Sequence, residues 1–416
     1  MLKKIIVTLF TRGFVALVNL AILLVSSKQL GGDIRGQISL LILNIAIIQV
    51  INEIYTGYVL VYFIPKYNLR KIYTTGLAWS VICIGITTLL LIGLNLYFDV
   101  EISKYWTHIA ILSFIIIIHS FNGVVILAKE KIRAYNFLNF FQPSLLLLAL
   151  LVQIFVFDLR SIDSYLAALY ISFSISLVIS IIQVSGIFKN IGQSLPPSQT
   201  GEIFKKGFFN QLANLSHMLS NRYNFYLLSN NVLVGIYSTS TSLIESVLII
   251  SNSAATIILT YIANQKEEAQ NVRITFLLSK ICFLLSLVCV LVLLVIPAEF
   301  FTFLLGKDFS ETKQVMLCLS PGILCISFST VVSHYFSGLG KQRLIAVANF
   351  SGLFTTMITG YFLVSRFDIY GACYATCLSY FVASLILISM FMREHKLSLG
   401  SLFKIRSDLK FLRTVS

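Results

Sequence analysis

The chain has 416 residues, 57% hydrophobic and only 12% charged, where soluble domains carry roughly 25% charged residues. Together with a mean hydropathy of +0.89, that balance excludes a soluble globular enzyme or binding module and requires a polytopic membrane protein. The net charge of +14 is scattered over short loops with no basic, aromatic-interleaved patch, so it excludes a nucleic-acid partner and fits the excess of cations on the inner side of a membrane.

Apolar segments predict spans near 5–27, 38–64, 73–97, 105–127, 137–157, 164–188, 206–229, 236–263, 274–297, 313–337, 344–364 and 370–392. Each is long enough to cross ~30 Å of hydrocarbon as a helix, so the expected fold class is an all-α polytopic membrane protein of about twelve transmembrane helices. Lys3 and Lys4 before an apolar run resemble a signal peptide, but Arg12 interrupts the run and no small-residue cleavage site follows; it is read as the first span. The longest connection, 189–205, contains Pro196-Pro197 and a Ser/Gln/Gly cluster and separates two halves of six helices. The expected organisation is a lobe over 1–195, a cytoplasmic linker over 196–205, a second lobe over 206–392 and a basic amphipathic tail over 393–416 lying on the inner leaflet.

Lysine and arginine set the orientation. With the N-terminus inside, cytoplasmic segments carry 21 of the 31 cations, the opposite loops 7, and the spans the remaining 3, Arg12, Arg222 and Lys280. That bias places both termini in the cytoplasm. The two halves also repeat: Lys131, Arg133, Asn139, Phe140, Phe157 and Asp158 recur 210 residues later as Lys341, Arg343, Asn349, Phe350, Phe367 and Asp368. Both repeats start inside, so they are parallel, and two parallel six-helix lobes around a central cavity are a transporter plan.

The stretch Gly207–Ser229 carries Asn210, Asn214, His217, Asn221 and Asn224 at intervals of 4, 3, 4 and 3, one polar stripe on an α-helix. The stripe has two readings: amides that glue helices together, or the lining of a polar cavity in which Arg222 meets an anionic cargo. Five polar side chains with a neighbouring Arg exceed what glue requires. Arg12 and Lys280 are the other intramembrane cations, both near the inner edge, where Lys280 can also snorkel to the surface. Two intramembrane carboxylates, Glu53 and Glu245, either couple transport to a proton or sodium gradient or pair statically, Glu245 with Arg222. His217 is either a hydrogen-bond partner within the stripe or a proton carrier; nothing near His119 or His334 elevates them. Pro143 and Pro321 are expected to kink or end their helices. The seven cysteines lie in apolar segments without C-x-x-C pairs and read as small hydrophobes. No metal or other cofactor is expected.

Several stretches resemble the polysaccharide (Wzx-type, O-antigen) branch of the multidrug/oligosaccharidyl-lipid/polysaccharide exporter superfamily. They are LGGDIRG at Leu30–Gly36, NRYNFYLLSNNVLVGIYS at Asn221–Ser238, LLGKDF at Leu304–Phe309, SPG at Ser320–Gly322, SGLGKQR at Ser337–Arg343 and DIYGACYAT at Asp368–Thr376. The resemblance implies a MATE-like flippase of the bacterial inner membrane. Its cargo would be an undecaprenyl-pyrophosphate-linked oligosaccharide, an O-antigen or capsule repeat unit in polysaccharide biosynthesis, moved from the cytoplasmic to the periplasmic leaflet by alternating access. Glycan polymerase machinery is a further expected partner. The chain has no room for the thirteenth and fourteenth helices of longer members, which disfavours a lipid II flippase. Such a cargo suits the residues: phosphates call for Arg or Lys and hydroxyls for amides. Arg222, Arg12 and Lys280 are thus the expected phosphate contacts, with Asn214, His217, Asn221 and Asn224 toward sugar. A cation-coupled drug or small-molecule antiporter of the same superfamily is the alternative. An integral-membrane polymerase or acyltransferase is disfavoured, because no loop exceeds about 17 residues and no carboxylate pair or His–Asp cluster occurs, as such catalysis requires.

Overall fold

The computed structural model describes residues 2–98, 104–187, 197–264 and 268–397, and among them the regular structure is helical, with no strand. In a bilayer every backbone N–H and C=O must find a partner within the protein, and a helix supplies all of them within one segment. The helices are α1 (Leu2–Thr56), α2 (Leu60–Phe63), α3 (Leu69–Phe98), α4 (Trp106–Ala128), α5 (Ile132–Phe155), α6 (Ile162–Ser185) and α7 (Pro197–Arg222). They continue as α8 (Asn231–Glu245), α9 (Leu248–Asn264), α10 (Glu268–Val295), α11 (Ala298–Leu305), α12 (Thr312–Gly338) and α13 (Gln342–Glu394).

Eight described stretches are long and apolar enough to cross a membrane, or nine if the bent pair α8/α9 is one span. Two of the eight, Gly13–Phe63 and Gln342–Glu394, have 51 and 53 residues, about 75–80 Å of helix at 1.5 Å per residue. Each therefore holds two spans joined at a break. The first break is Gly31, at φ 82° and ψ 172°, which glycine reaches without steric penalty; the freed N–H of Gly32 donates to Asp308 Oδ2 at 2.8 Å. The second is Asp368, at φ 47° and ψ −120°. α7 fails the apolar criterion because of its stripe. The protein is thus a multi-pass, all-α membrane protein. α5 and α12 run on through Pro143 and Pro321, so neither proline ends its helix.

The sequence repeat is a repeat of backbone. At the end of α4, Glu130 has φ 57°, and 210 residues later at the end of α12, Gly340 has φ 73°. Both turns carry the same pair of bonds: Glu130 N to Leu127 O and Lys131 N to Ile126 O, then Gly340 N to Ser337 O and Lys341 N to Phe336 O. These are Schellman caps. Asp158 and Asp368, the next repeated pair, take φ 49° and 47°.

The chain divides into two compact units, one comprising Met1–Gln211 with Leu304–Asp308, the other Leu212–Phe303 with Phe309–Ser416. The division falls inside α7, whose first turns pack on the first unit. Ile203 is buried there with Tyr55, Phe63, Ile72 and Phe121. Gly207 lies so close to α1 that a Cβ would stand 1.8 Å from the Ile54 carbonyl oxygen. In the second unit α9, α10, α12 and α13 enclose a core around Phe276, Val331, Phe336 and Phe391. Buried hydroxyls cross-link those helices: Ser327 bonds Ser251 at 2.6 Å and Ser286 at 2.7 Å, and Ser329 bonds Ser384 at 2.8 Å. Such pairs hold helices where lipid offers no hydrophobic drive. The tail beyond 397 lies outside the described residues.

Candidate functional site

The second unit gathers its polar side chains around Glu245. Asn221 Nδ2 donates to Glu245 Oε1, and the Tyr380 hydroxyl donates to the same oxygen at 3.3 Å. Arg222 acts on Glu245 through charge, and also on His217. The His217 ring stacks on Tyr380 with centroids 6.3 Å apart. Three elements therefore build the site: the last turns of α7, the end of α8 and the second half of α13. Asn221 and Tyr380 are buried, Arg222 and Glu245 half-buried, and Asn214 and His217 exposed. The carboxylate can take up a proton or a small cation only against the charge of Arg222, while the exposed amide and imidazole can bond hydroxyl groups.

The stripe is not one continuous helical face. α7 ends at Arg222 and the chain tightens into a 3₁₀ turn over Tyr223–Tyr226, which rotates Asn224 away from Asn214, His217 and Asn221. Asn224 is fully buried, and its Nδ2 donates to Ala372 O and Thr376 Oγ1, both at 3.0 Å. Tyr237 joins the same group through Thr376 Oγ1 at 2.8 Å. Asn224 thus ties α7 to α13 inside the unit, where the sequence expectation had it facing sugar.

Lys280 is also buried, with 4% of its surface exposed and its ammonium 4.6 Å from the Phe276 ring centroid, so it does not snorkel to the inner surface. The side chain of Arg12 lies outside the described residues. In the first unit, Glu53 accepts from Gln49 Nε2 at 3.0 Å and from Ser120. Its neighbour Asn52 donates its amide to Thr56 Oγ1 at 2.7 Å, and its backbone carbonyl accepts Trp79 Nε1–H at 2.9 Å. Among the described residues one amide and one hydroxyl hold the Glu53 carboxylate. Among the described residues no group of three or more His, Cys, Asp or Glu side chains could hold a metal ion.

Sequence reasoning missed Tyr380, Tyr237 and Thr376. The signal was present in weak form: Ala372, Thr376, Tyr380 and Ser384 recur every four residues along α13, a small-and-polar face within an apolar span.

No family model and no curated protein matches the sequence. Solved structures do match. A lipid II flippase, MurJ, in an inward closed conformation aligns over 100% of this chain and 92% of its own, with TM-score 0.73 and 12% identity. An inward-facing multidrug resistance MATE family transporter of the MOP superfamily aligns over 94% and 96%, with TM-score 0.69 and 13% identity. A MOP superfamily transporter from Pyrococcus furiosus, whose reversed pocket polarity suggests a different function, aligns over 96% and 95%, with TM-score 0.59 and 14% identity. The chain has the fold of these membrane transporters. At such identities the likeness concerns architecture, and residue roles in this chain rest on its own geometry.

Proposed function

We propose that the protein is a flippase that moves an undecaprenyl-pyrophosphate-linked oligosaccharide, an O-antigen or capsule repeat unit, from the cytoplasmic to the periplasmic leaflet of a bacterial inner membrane. The carrying observation is the end of α7, where exposed Asn214 and His217 lie within two turns of half-buried Arg222 in an otherwise apolar bundle. Hydroxyl-rich sugar suits the amide and imidazole, and the pyrophosphate suits the guanidinium. Arg12 and Lys280 are assigned as secondary cations of the phosphate path, Lys280 only in a state of the cycle that uncovers it, since here it is buried beside Phe276. Alternating access is driven by a proton or sodium gradient through Glu245 or Glu53, with both termini cytoplasmic. The reading is transport, not catalysis, and glycan polymerase machinery would consume the product on the far leaflet.

The test is export of surface polysaccharide in cells carrying Arg222→Ala, with Arg222→Lys as the charge-preserving control and membrane protein levels checked in parallel. Lost export with accumulated lipid-linked units at normal protein level supports the assignment, and normal export sinks it. Glu53 supports a second reading, a cation-coupled antiporter of drugs or other small molecules, because among the described residues one amide and one hydroxyl hold that carboxylate and leave its charge for a cationic ligand. Glu53→Gln that abolishes efflux of a cationic dye while polysaccharide export is untouched would favour that reading.

A further inference from the structure

The bend between α8 and α9 arises without glycine or proline. Asn231–Glu245 and Leu248–Thr256 meet at 47°, yet Leu243 to Ile250 reads LIESVLII, with neither glycine nor proline. Kinks above ~20° almost always arise at proline, at Gly/Ser pairs, at π-bulges, or where a side chain or water enters the helical ladder. Here the ladder is shortened: Ser246 N bonds Leu243 O at 3.2 Å, Val247 N bonds Ile244 O at 3.2 Å and Ile249 N bonds Ser246 O at 3.1 Å. The Ser246 hydroxyl competes for the Leu243 carbonyl at 2.6 Å, which weakens a straight continuation without setting an angle.

Neighbouring helices tether the residue at the bend. Glu245 is the last residue of α8, and its carboxylate is bonded by Asn221 of α7 and Tyr380 of α13 under the charge of Arg222. The titratable and charged groups around it are Arg222 and His217 on α7, Tyr380 on α13, and Tyr237 on α8 itself, which acts on Tyr380. A charged carboxylate accepts these bonds roughly twice as strongly as a neutral one. Backbone groups inside a membrane gain by completing i to i−4 bonds once the tether weakens.

We propose that Glu245 is the pin of a hinge: bound to Asn221 and Tyr380 it holds α8 and α9 bent, and its neutralisation by a proton or a monovalent cation lets the two helices straighten into one. Asn221 and Tyr380 are positioning residues for that carboxylate. The hinge rests on the transport reading only for its purpose; the bend is measured without any cargo.

The experiment is hydrogen exchange on the full-length protein in lipid nanodiscs, read at the amides of Val247–Ile250, with the α8–α9 angle measured by electron cryomicroscopy. Glu245→Gln, which mimics the neutral acid, is expected to slow exchange there about tenfold or more as the ladder closes, with the angle falling below ~20°. Tyr380→Phe, which keeps the carboxylate and removes one tether, should give an intermediate slowing and decides the matter if Glu245→Gln does not accumulate. For the wild type, lowering the pH at fixed choline chloride, after correction for intrinsic rates, separates a proton from sodium added at high pH; slowing in either arm supports the hinge. Unchanged exchange and a bend near 47° in the variants overturn it. A hinge that responds while Arg222→Ala still exports removes the cargo assignment and leaves the hinge standing.

Discussion

Gly207→Ala tests whether the polar helix is seated as described. In mid-helix an alanine normally contributes about 0.5–1 kcal/mol over glycine. Here the new Cβ would stand 1.8 Å from the Ile54 carbonyl oxygen and 2.8 Å from its carbon. Both atoms are backbone in α1 and cannot rotate away. Overpacking a tight site costs about 1–3 kcal/mol, and a backbone partner puts this case at the upper end. Subtracting the helix gain leaves a loss of about 2 kcal/mol, or roughly 4–8 °C in Tm for a unit of this size. Gly201 is the matched control, since it lies in the same helix and a Cβ there meets nothing within 4 Å; Gly201→Ala should raise Tm by ~1–4 °C. The assay is thermal unfolding in detergent followed by tryptophan fluorescence. Trp79 reports directly, because its indole packs edge-on against Phe204 of α7 at 4.9 Å. Equal melting of the two variants, or a Gly207→Ala protein as stable as wild type, would show that α7 does not seat on α1 beside the Glu53 turn.

Asp308→Ala removes the acceptor of the Gly32 N–H and should cost about 1 kcal/mol of thermal stability, largely restored by Asp308→Asn. Asp368→Gly should shift Tm upward by no more than a few degrees, since relief of about 1–3 kcal/mol of backbone strain at φ 47° is offset in part by loss of the exposed bond from Ser229, about 0.5–1.5 kcal/mol, and by the freer unfolded chain of glycine, about 0.4–1 kcal/mol. His395, just beyond α13, is half-buried, with 6% of its side chain exposed, Nε2 at 2.9 Å from the Tyr335 hydroxyl and Nδ1 at 3.4 Å from Glu268. Burial pushes its imidazole below the usual range, with Glu394 and Glu268 opposing the shift and Lys341 adding to it. A lowered folded pKa means that the unfolded chain binds the proton first. The contribution of His395 is therefore present above about pH 6.5 and is lost as pH falls toward the folded value. Urea unfolding at a series of pH values should show this slope in the wild type and a flatter profile in His395→Gln; identical profiles would refute it.

Much of the architecture was legible because it depends on short-range quantities. Span number follows from how many residues cross a fixed thickness of hydrocarbon, and the duplicated plan from six identities at one offset. The backbone repeats that offset in the caps at Glu130 and Gly340 and in the paired Asp158 and Asp368, because a left-handed position or a helix stop is a local choice. The break that holds Gly31 was legible as the gap between the first two expected spans, 5–27 and 38–64.

Tertiary structure decided what faces what. A stripe drawn at 3.6 residues per turn assumes that the helix continues, and the 3₁₀ turn after Arg222 breaks that assumption, sending Asn224 to Ala372 and Thr376, 148 and 152 residues away in sequence. Tyr380 was unreadable as a partner of Glu245 because 135 residues separate them, and no local pattern encodes which helices become neighbours. The bend at Glu245 is the clearest case. Ser246 loosens the ladder locally, but the partners that meet at Glu245 lie 24 and 135 residues away along the chain. Composition and periodicity thus determined a duplicated bundle of membrane helices carrying a few intramembrane charges, while packing between distant segments decided which of those charges meet, because contact energy depends on distance in space and sequence records distance only along the chain.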